Sequence, residues 1–466
     1  MISLFKNLIS SGSINKDSTL IVSLGLLFIF CFLLIIGRRF KTVLKLERLG
    51  IPISLLIGGC VLLIGPYGPK PFFPESVIDL WISLPTPLLT LVFATLMIGR
   101  PIPKGNSLLK PIASQTLLGL FLGIGQYLVG GIIVLMLLIP YLNVDPLMGC
   151  LIEVGFEGGH GAASVMGESF KKIGFESGLD LGLAMATVGL LSSTLIGTLL
   201  IIIGRFMGWI TYIEDNIEDK EYLENSIGIF SQLSQIAVNL ALAGIAVLLG
   251  IFLLSGLHLI GEFLGGTFQE VLSIFPVFPL ALIGSFLLRF LLEKFNRTEL
   301  VSELLQREIG IISTDLLITT AIAGLNLPLL LKDWLPLTIL ACSGLVWNLF
   351  GIFFFSKIAL NEKWFERSIV EFGNATGVAA SGLLLLRLAD PRDETNTLPI
   401  FSIKQLFLQP LLSGGLITVI APLTITKLGL KGWTELCGFI TILIIIITLI
   451  MKLTTTFELT NKQSNT

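Results

Sequence analysis

Three glutamates and a histidine stand among glycines in a chain that is otherwise apolar. The stretch EVGFEGGHGAAS holds Glu153, Glu157 and His160, and EFGNATGVAAS holds Glu371, Asn374 and Thr376. A carboxylate at membrane depth is costly to hold, so it marks an ion path or a paired charge. Glycine lets peptide N–H and C=O groups turn away from helical bonding. Freed amides at a helix N-terminus take carboxylates, and freed carbonyls take Na⁺. Gly158, Gly159 and Gly161 around His160 suit a substrate site of this kind, as do Asn374, Thr376 and Gly377. Glu153, Glu157 and Glu371 are then candidate ion ligands. The competing reading is close helix packing through small residues, with the carboxylates in structural pairs.

His160 could titrate near neutral pH, or donate one fixed hydrogen bond that shapes its loop. The second role is the expectation. Asp315 in GIISTDLLITTAIAG is flanked by Ser313 and Thr314, and hydroxyl and carboxylate oxygens suit Na⁺ as they suit other hard cations. A bundle-facing hydrogen bond is the equal alternative for Asp315. Arg387 could clamp a carboxylate, but the adjoining Asp390, Pro391 and Arg392 mark it as a membrane-edge residue.

These groups must be held by membrane helices. The chain is 53% hydrophobic and only 13% charged, with a mean hydropathy of +0.91. Apolar runs recur at the length of a bilayer core. They are continuous rather than alternating, which excludes a closed barrel. The sequence predicts helices at 19–37, 50–66, 78–98, 112–141, 178–204, 230–256, 272–293, 309–330, 334–357, 404–425 and 432–451. The stretch 257–271 is ambiguous. Two segments, 146–168 and 369–389, are too polar for lipid and read as re-entrant hairpins buried in protein. The five cysteines are unpaired in spacing and read as small core residues. A net charge of −2 says nothing about partners, and no basic run suggests nucleic acid, which is not expected as a partner.

The fold class that follows is an all-α polytopic membrane protein built as an inverted repeat of two five-helix units. Residues 1–18 form an external segment, and 19–210 the first repeat with its hairpin near 146–168. An acidic cytoplasmic linker occupies 211–229. The second repeat is 230–426, with its hairpin near 369–389, and 427–466 add a further helix and a tail. The first helix lacks the flanks of a cleaved leader and is expected to be retained. Arg38, Arg39, Lys41, Lys45 and Arg48 place the first connection in the cytoplasm, hence the N-terminus outside and the C-terminus inside. Lys171 and Lys172 are the exception to this rule. The hairpins match as Glu-x-Gly followed by Gly-x-Ala-Ala-Ser with one residue of slippage. Opposed repeats with a site near the midplane are the plan of secondary transporters.

DPLMG at Asp145–Gly149, then GGHG at Gly158–Gly161, then LAMATVGLLSSTLIG together resemble the bacterial sodium/glutamate symporter family. Gly37–Arg38, Ile51–Pro52, Gly58–Gly59, Phe93–Thr95 and ISTDLLITTAIAGLNL agree in order, so the resemblance spans about 25 to 425. It implies two re-entrant loops, a homodimer in the bacterial cytoplasmic membrane, and an elevator-like cycle. It implies sodium-driven uptake of glutamate or a related small carboxylate, with Na⁺ as coupling ion and no other cofactor. The family usually has serine where Glu157 stands and a histidine near Glu371. The alternative is a sodium- or proton-coupled cation exchanger using the loop carboxylates. An enzyme is not expected, because the chain has no HExxH, no serine-nucleophile motif and no soluble catalytic domain.

Overall fold

The computed structural model describes residues 32–34, 36–37, 53–68, 81, 84–99, 109–210, 229–266, 269, 272, 277–360, 362–390, 394–409 and 411–464. The external segment 1–18, most of the helix expected at 19–37 and nearly all of the linker at 211–229 lie outside them. Among the described residues the regular structure is helical, without strands. Six helices among these residues are long and apolar enough to cross a membrane.

In chain order, α1 is Ile53–Ile64 and α2 is Pro85–Thr95. Helix α3 is Leu109–Leu142. The first polar segment follows as a 3₁₀ turn, Pro146–Cys150, then α4, Leu151–Gly155, and α5, Gly159–Lys172. Helix α6 is Gly178–Phe206 and α7 is Ile229–Leu264, so the ambiguous stretch after 257 begins as a continuation of α7. Next come α8 at Val277–Lys294, α9 at Glu303–Ala323 and the short α10 at Leu327–Lys332. Helix α11 is Trp334–Ala359. The second polar segment is α12, Trp364–Ala389, then α13, Thr397–Leu408, and α14, Leu416–Ser464.

Two expectations need correction. The single helix at 309–330 is two pieces. It starts early because Ser302 Oγ caps it, accepting from Leu305 N at 3.3 Å. It stops at Gly324, before Pro328. The single helix at 404–425 is also two pieces, α13 and α14, separated by 409–415. Ser413 and Gly414 both have positive φ there, at 58° and 91°, in a stretch where Ser413, Gly414 and Gly415 follow Pro410. Helix α14 then kinks at Gly429, φ 77°. The cysteines divide: Cys150 and Cys437 are buried, whereas Cys60 and Cys342 are exposed on apolar helices.

Packing sorts the helices into two groups. Helices α1, α2, α7, α8 and α9 pack on one another, and α3 to α6 pack with α11 to α14. They meet where α5 lies against α2 and α9. That seam sets bulk against small residues. A Cβ on Gly161 would fall 2.7 Å from Leu89 Cδ1, and one on Gly414 would fall 2.8 Å from Phe278 Cζ and 2.9 Å from Ala162 Cβ. Phe93 and Phe278 stack edge to face behind it, their centroids 4.9 Å apart. At the start of α6, Asp180 Oδ1 accepts from Asn326 N at 3.0 Å.

Within the second group, α3 and α11 share an irregularity. Each turns π-helical near its C-terminal end, at Val134–Leu138 in α3 and Gly351–Phe355 in α11. Each then leads into one of the two polar segments.

Candidate functional site

Both polar segments are broken helices. In the first, α4 ends at Gly155 and α5 begins at Gly159, whose φ is +66°. Gly158 N bonds back to Glu153 O at 2.9 Å, closing the end of α4. In the second, helical geometry fails at Gly377 (φ −154°, ψ 35°) and Val378 (φ 74°, ψ 164°). The chain doubles back there, because a Cβ on Gly373 would lie 2.5 Å from Gly382 Cα. No side chain fits between those two arms, so both positions are glycine. Val378 occupies backbone space that is essentially reserved for glycine, a strain found mostly where surroundings dictate it.

The two breaks touch. The space where Gly159 would carry a Cβ is filled by Val378 Cγ1. Helix α6 runs past both, and a Cβ on Gly189 would meet Thr376 O and Phe156. The third break, 409–415, joins from the side: Ser413 Oγ donates to Glu157 Oε1 at 3.3 Å.

The carboxylates have distinct surroundings, and all are buried. Glu153 Oε1 accepts from Ser413 N at 3.0 Å and from Thr418 Oγ1 at 2.9 Å. Its Oε2 accepts from Thr418 Oγ1 at 3.1 Å and from the Tyr127 hydroxyl. Glu371 Oε2 pairs with Lys404 Nζ at 2.8 Å, and Oε1 accepts from Gln115 Nε2 at 2.9 Å. Gln115 Oε1 in turn accepts from Arg367 Nε at 2.9 Å, while Arg367 Nη2 reaches Pro111 O and Ser114 Oγ. Glu157 has less. Its Oε1 accepts long bonds from Asn374 Nδ2 and Ser413 Oγ, both 3.3 Å. Its Oε2 is buried without a partner.

Amides complete the wall. Gln405 Nε2 donates to Asn374 Oδ1 at 2.7 Å. Asn348 Nδ2 donates to Thr376 Oγ1 at 3.0 Å, and Gln126 Nε2 caps Ala375 O at 2.6 Å. This last bond satisfies a carbonyl that the break releases from the helix. Helix α3 supplies the floor. Gly119 and Gly123 stand one turn apart, and a Cβ on Gly119 would lie 2.6 Å from Lys404 Cε. One on Gly123 would lie 2.7 Å from Glu157 Oε2.

Most of the residues picked out in the sequence therefore converge: Glu153, Glu157, Gly158, Gly159, His160, Gly161, Glu371, Asn374, Thr376 and Gly377. His160 Nε2 lies 3.0 Å from Thr187 Oγ1, whose own proton goes to Leu183 O. The imidazole therefore donates, and it fixes α5 to α6. The turn Ser313–Asp315 stands apart on α9. Ser313 and Thr314 return their hydroxyls to Ile309 O and Gly310 O, both at 2.8 Å. Sequence reasoning missed Gln115, Tyr127, Gln126, Asn348, Arg367, Lys404, Gln405, Ser413 and Thr418. The polar residues at helical spacing on α3 — Gln115, then Gln126 and Tyr127 — were the available signal.

A family model described as sodium/glutamate symporter matches residues 19–362. The match takes in the first break and ends two residues before α12 begins. No curated protein matches the chain.

Proposed function

The chain belongs to the sodium/glutamate symporter family, and from that premise we propose that it moves glutamate or a related small carboxylate across the membrane together with Na⁺, its site lying between the two breaks. The observation that carries this reading is the contact of Gly159 with Val378. Two opposed broken helices meeting at their tips expose helix ends and loosened backbone at one buried place. Helix starts attract carboxylates and released carbonyls attract Na⁺. Gly158 to Gly161 with Asn374, Thr376 and Gly377 would line the substrate side.

The matched π-helical turns of α3 and α11, each before a polar segment, support the inverted repeat and the re-entrant character of both hairpins. The division into two groups of helices supports an elevator-like cycle, with the hairpin group moving against α1, α2 and α7 to α9. One charge crossing at 100 mV supplies about 2.3 kcal/mol, and tenfold accumulation needs about 1.4 kcal/mol. Glutamate carries −1, so with one Na⁺ no net charge crosses, and two Na⁺ supply the single net charge that drives tenfold concentration.

The cation-exchanger reading has weaker support. Of its three carboxylates, Glu153 is saturated by neutral donors and Glu371 by Lys404 and Gln115. Only Glu157 keeps an unoccupied oxygen. The turn Ser313–Asp315 would be a separate ion site on α9: its two hydroxyls donate to their own helix, which leaves their oxygen lone pairs for a cation.

The test is uptake of labelled glutamate into proteoliposomes, with and without an inward Na⁺ gradient. Na⁺-dependent accumulation is expected, and Gly159→Leu should abolish it while the protein still purifies as a folded species. A leucine there would need positive φ and would displace Val378. Na⁺- or pH-driven ion flux without glutamate movement would move the assignment to exchange.

A further inference from the structure

Of the three carboxylates at the tips, Glu371 has a cation and Glu153 a set of neutral donors; Glu157 has an oxygen with neither. The buried cations among the described residues are Arg289, Arg367 and Lys404. Arg289 is remote, bound to Glu293 and Ile98 O. Lys404 Nζ is held by Glu371 and lies 5.2 Å from the Phe401 ring centroid. Arg367 is committed to Gln115, Ser114 and the Pro111 carbonyl. Glu157 has no cation bonded to it, since Lys404, which acts on it through space, is bonded to Glu371. It is 2% exposed, its two bonds are long, and Oε2 has no donor.

A buried carboxylate oxygen without a donor is unfavourable, and a charge-assisted bond from an incoming ligand would relieve it. Beneath it lies bare backbone at Gly123, and the Leu412 methyls close the same spot, so its neighbours there offer no hydrogen-bond donor. A single unpaired acceptor calls for a single N–H donor of positive charge. Na⁺, by contrast, wants several oxygens. A ligand bringing only carboxylates would add negative charge where no buried cation is uncommitted.

Resting on the symporter reading above, we infer that Glu157 is a specificity-determining residue that binds the ammonium group of the substrate. The transported solute is then an amino acid, and the amine is required for binding. Asn374 and Ser413 hold the carboxylate from its other oxygen, with Gln405 fixing Asn374. Glu153 and Glu371 face the same region from α4 and α12, and Lys404 from α13; all three are engaged elsewhere.

The experiment compares glutamate with glutarate, which has the same carbon chain and no amine. Binding to purified protein is followed calorimetrically in saturating Na⁺. Wild type is expected to favour glutamate by about ten- to a hundredfold, the worth of one charge-assisted bond. Glu157→Gln should collapse that ratio toward one and leave the Na⁺ requirement in place. A Glu157→Gln variant that keeps the ratio overturns the inference. So does one that keeps the ratio but loses Na⁺ dependence, since Glu157 would then serve the coupling ion. If the variant does not fold, the wild-type ratio decides: equal or better binding of glutarate sinks the idea. If neither acid binds, glutamate transport fails as a reading. A panel of neutral and basic amino acids against their deaminated acids then tests Glu157 alone. Amine-dependent binding would uphold its role, and none from any amine-bearing probe would end it.

Discussion

The two breaks start from nearly the same sequence and solve the same problem by different chemistry. Each has a glutamate two residues before a glycine, at Glu153–Gly155 and Glu371–Gly373. The first glutamate is neutralised by dipoles: Tyr127, Thr418 and the Ser413 amide. The second is neutralised by a charge, Lys404, with Gln115 in support. The first turns at a glycine, the second at a valine forced to positive φ. Two similar stretches thus share the position of a buried carboxylate without sharing how its desolvation is compensated. The compensation comes from α3, α13, α14 and the third break, which have no counterpart within the motif.

The sharpest way to break the comparison is at the charged end. Lys404→Met leaves Glu371 buried without its cation and should cost about 3–5 kcal/mol, read as loss of folded protein or of resistance to thermal unfolding. Adding Glu371→Gln should restore most of the loss, because the pair and not the lysine stem is what the fold requires. No rescue would mean Lys404 is there for its packing over Gly119 and Phe401.

At the dipolar end the effect should be smaller. Tyr127→Phe removes one of several donors to Glu153 and should cost about 1.5–3 kcal/mol. The same thermal assay reads it, and a loss as large as that of Lys404→Met would show that Glu153 depends on a single bond after all. Smallest is Val378→Gly. Relief of the strained backbone should stabilise by about 1 kcal/mol, less whatever the added glycine freedom costs. Uptake should fall nonetheless, because the contact with Gly159 is lost. A variant that is stabler and equally active would mean the strain has no part in transport.

The membrane class and both polar segments were legible because composition and glycine content reveal them directly. Glu153, Glu157, Asn374 and Thr376 followed from being polar in an apolar setting. Their partners did not. Gln115 and Arg367 meet only through folding, more than 250 positions apart in the chain, and periodicity carries no record of that. Lys404 was hidden by its place at the edge of an apolar run, where a lysine reads as a helix end at the membrane surface. The third break was hidden by the same run, although Pro410 with Ser413, Gly414 and Gly415 is a breaker pattern. Ser313 and Thr314 stand on α9, away from the tips. Hydroxyls inside a helix usually bond the carbonyl one turn back, and here they do.

The seam between the two helical groups has a mechanical consequence. Leu89, Phe93 and Phe278 face Gly161, Ala162 and Gly414 through methyls, rings and bare backbone. Dispersion holds such surfaces together, but it is summed over many weak contacts and changes little when they are exchanged for similar ones. A ladder of hydrogen bonds would impose detents; under the elevator-like cycle proposed above, this surface would serve as a bearing. The stopping points of any travel along it must therefore be set at its ends, where directional bonds such as Asn326 to Asp180 can act as a latch.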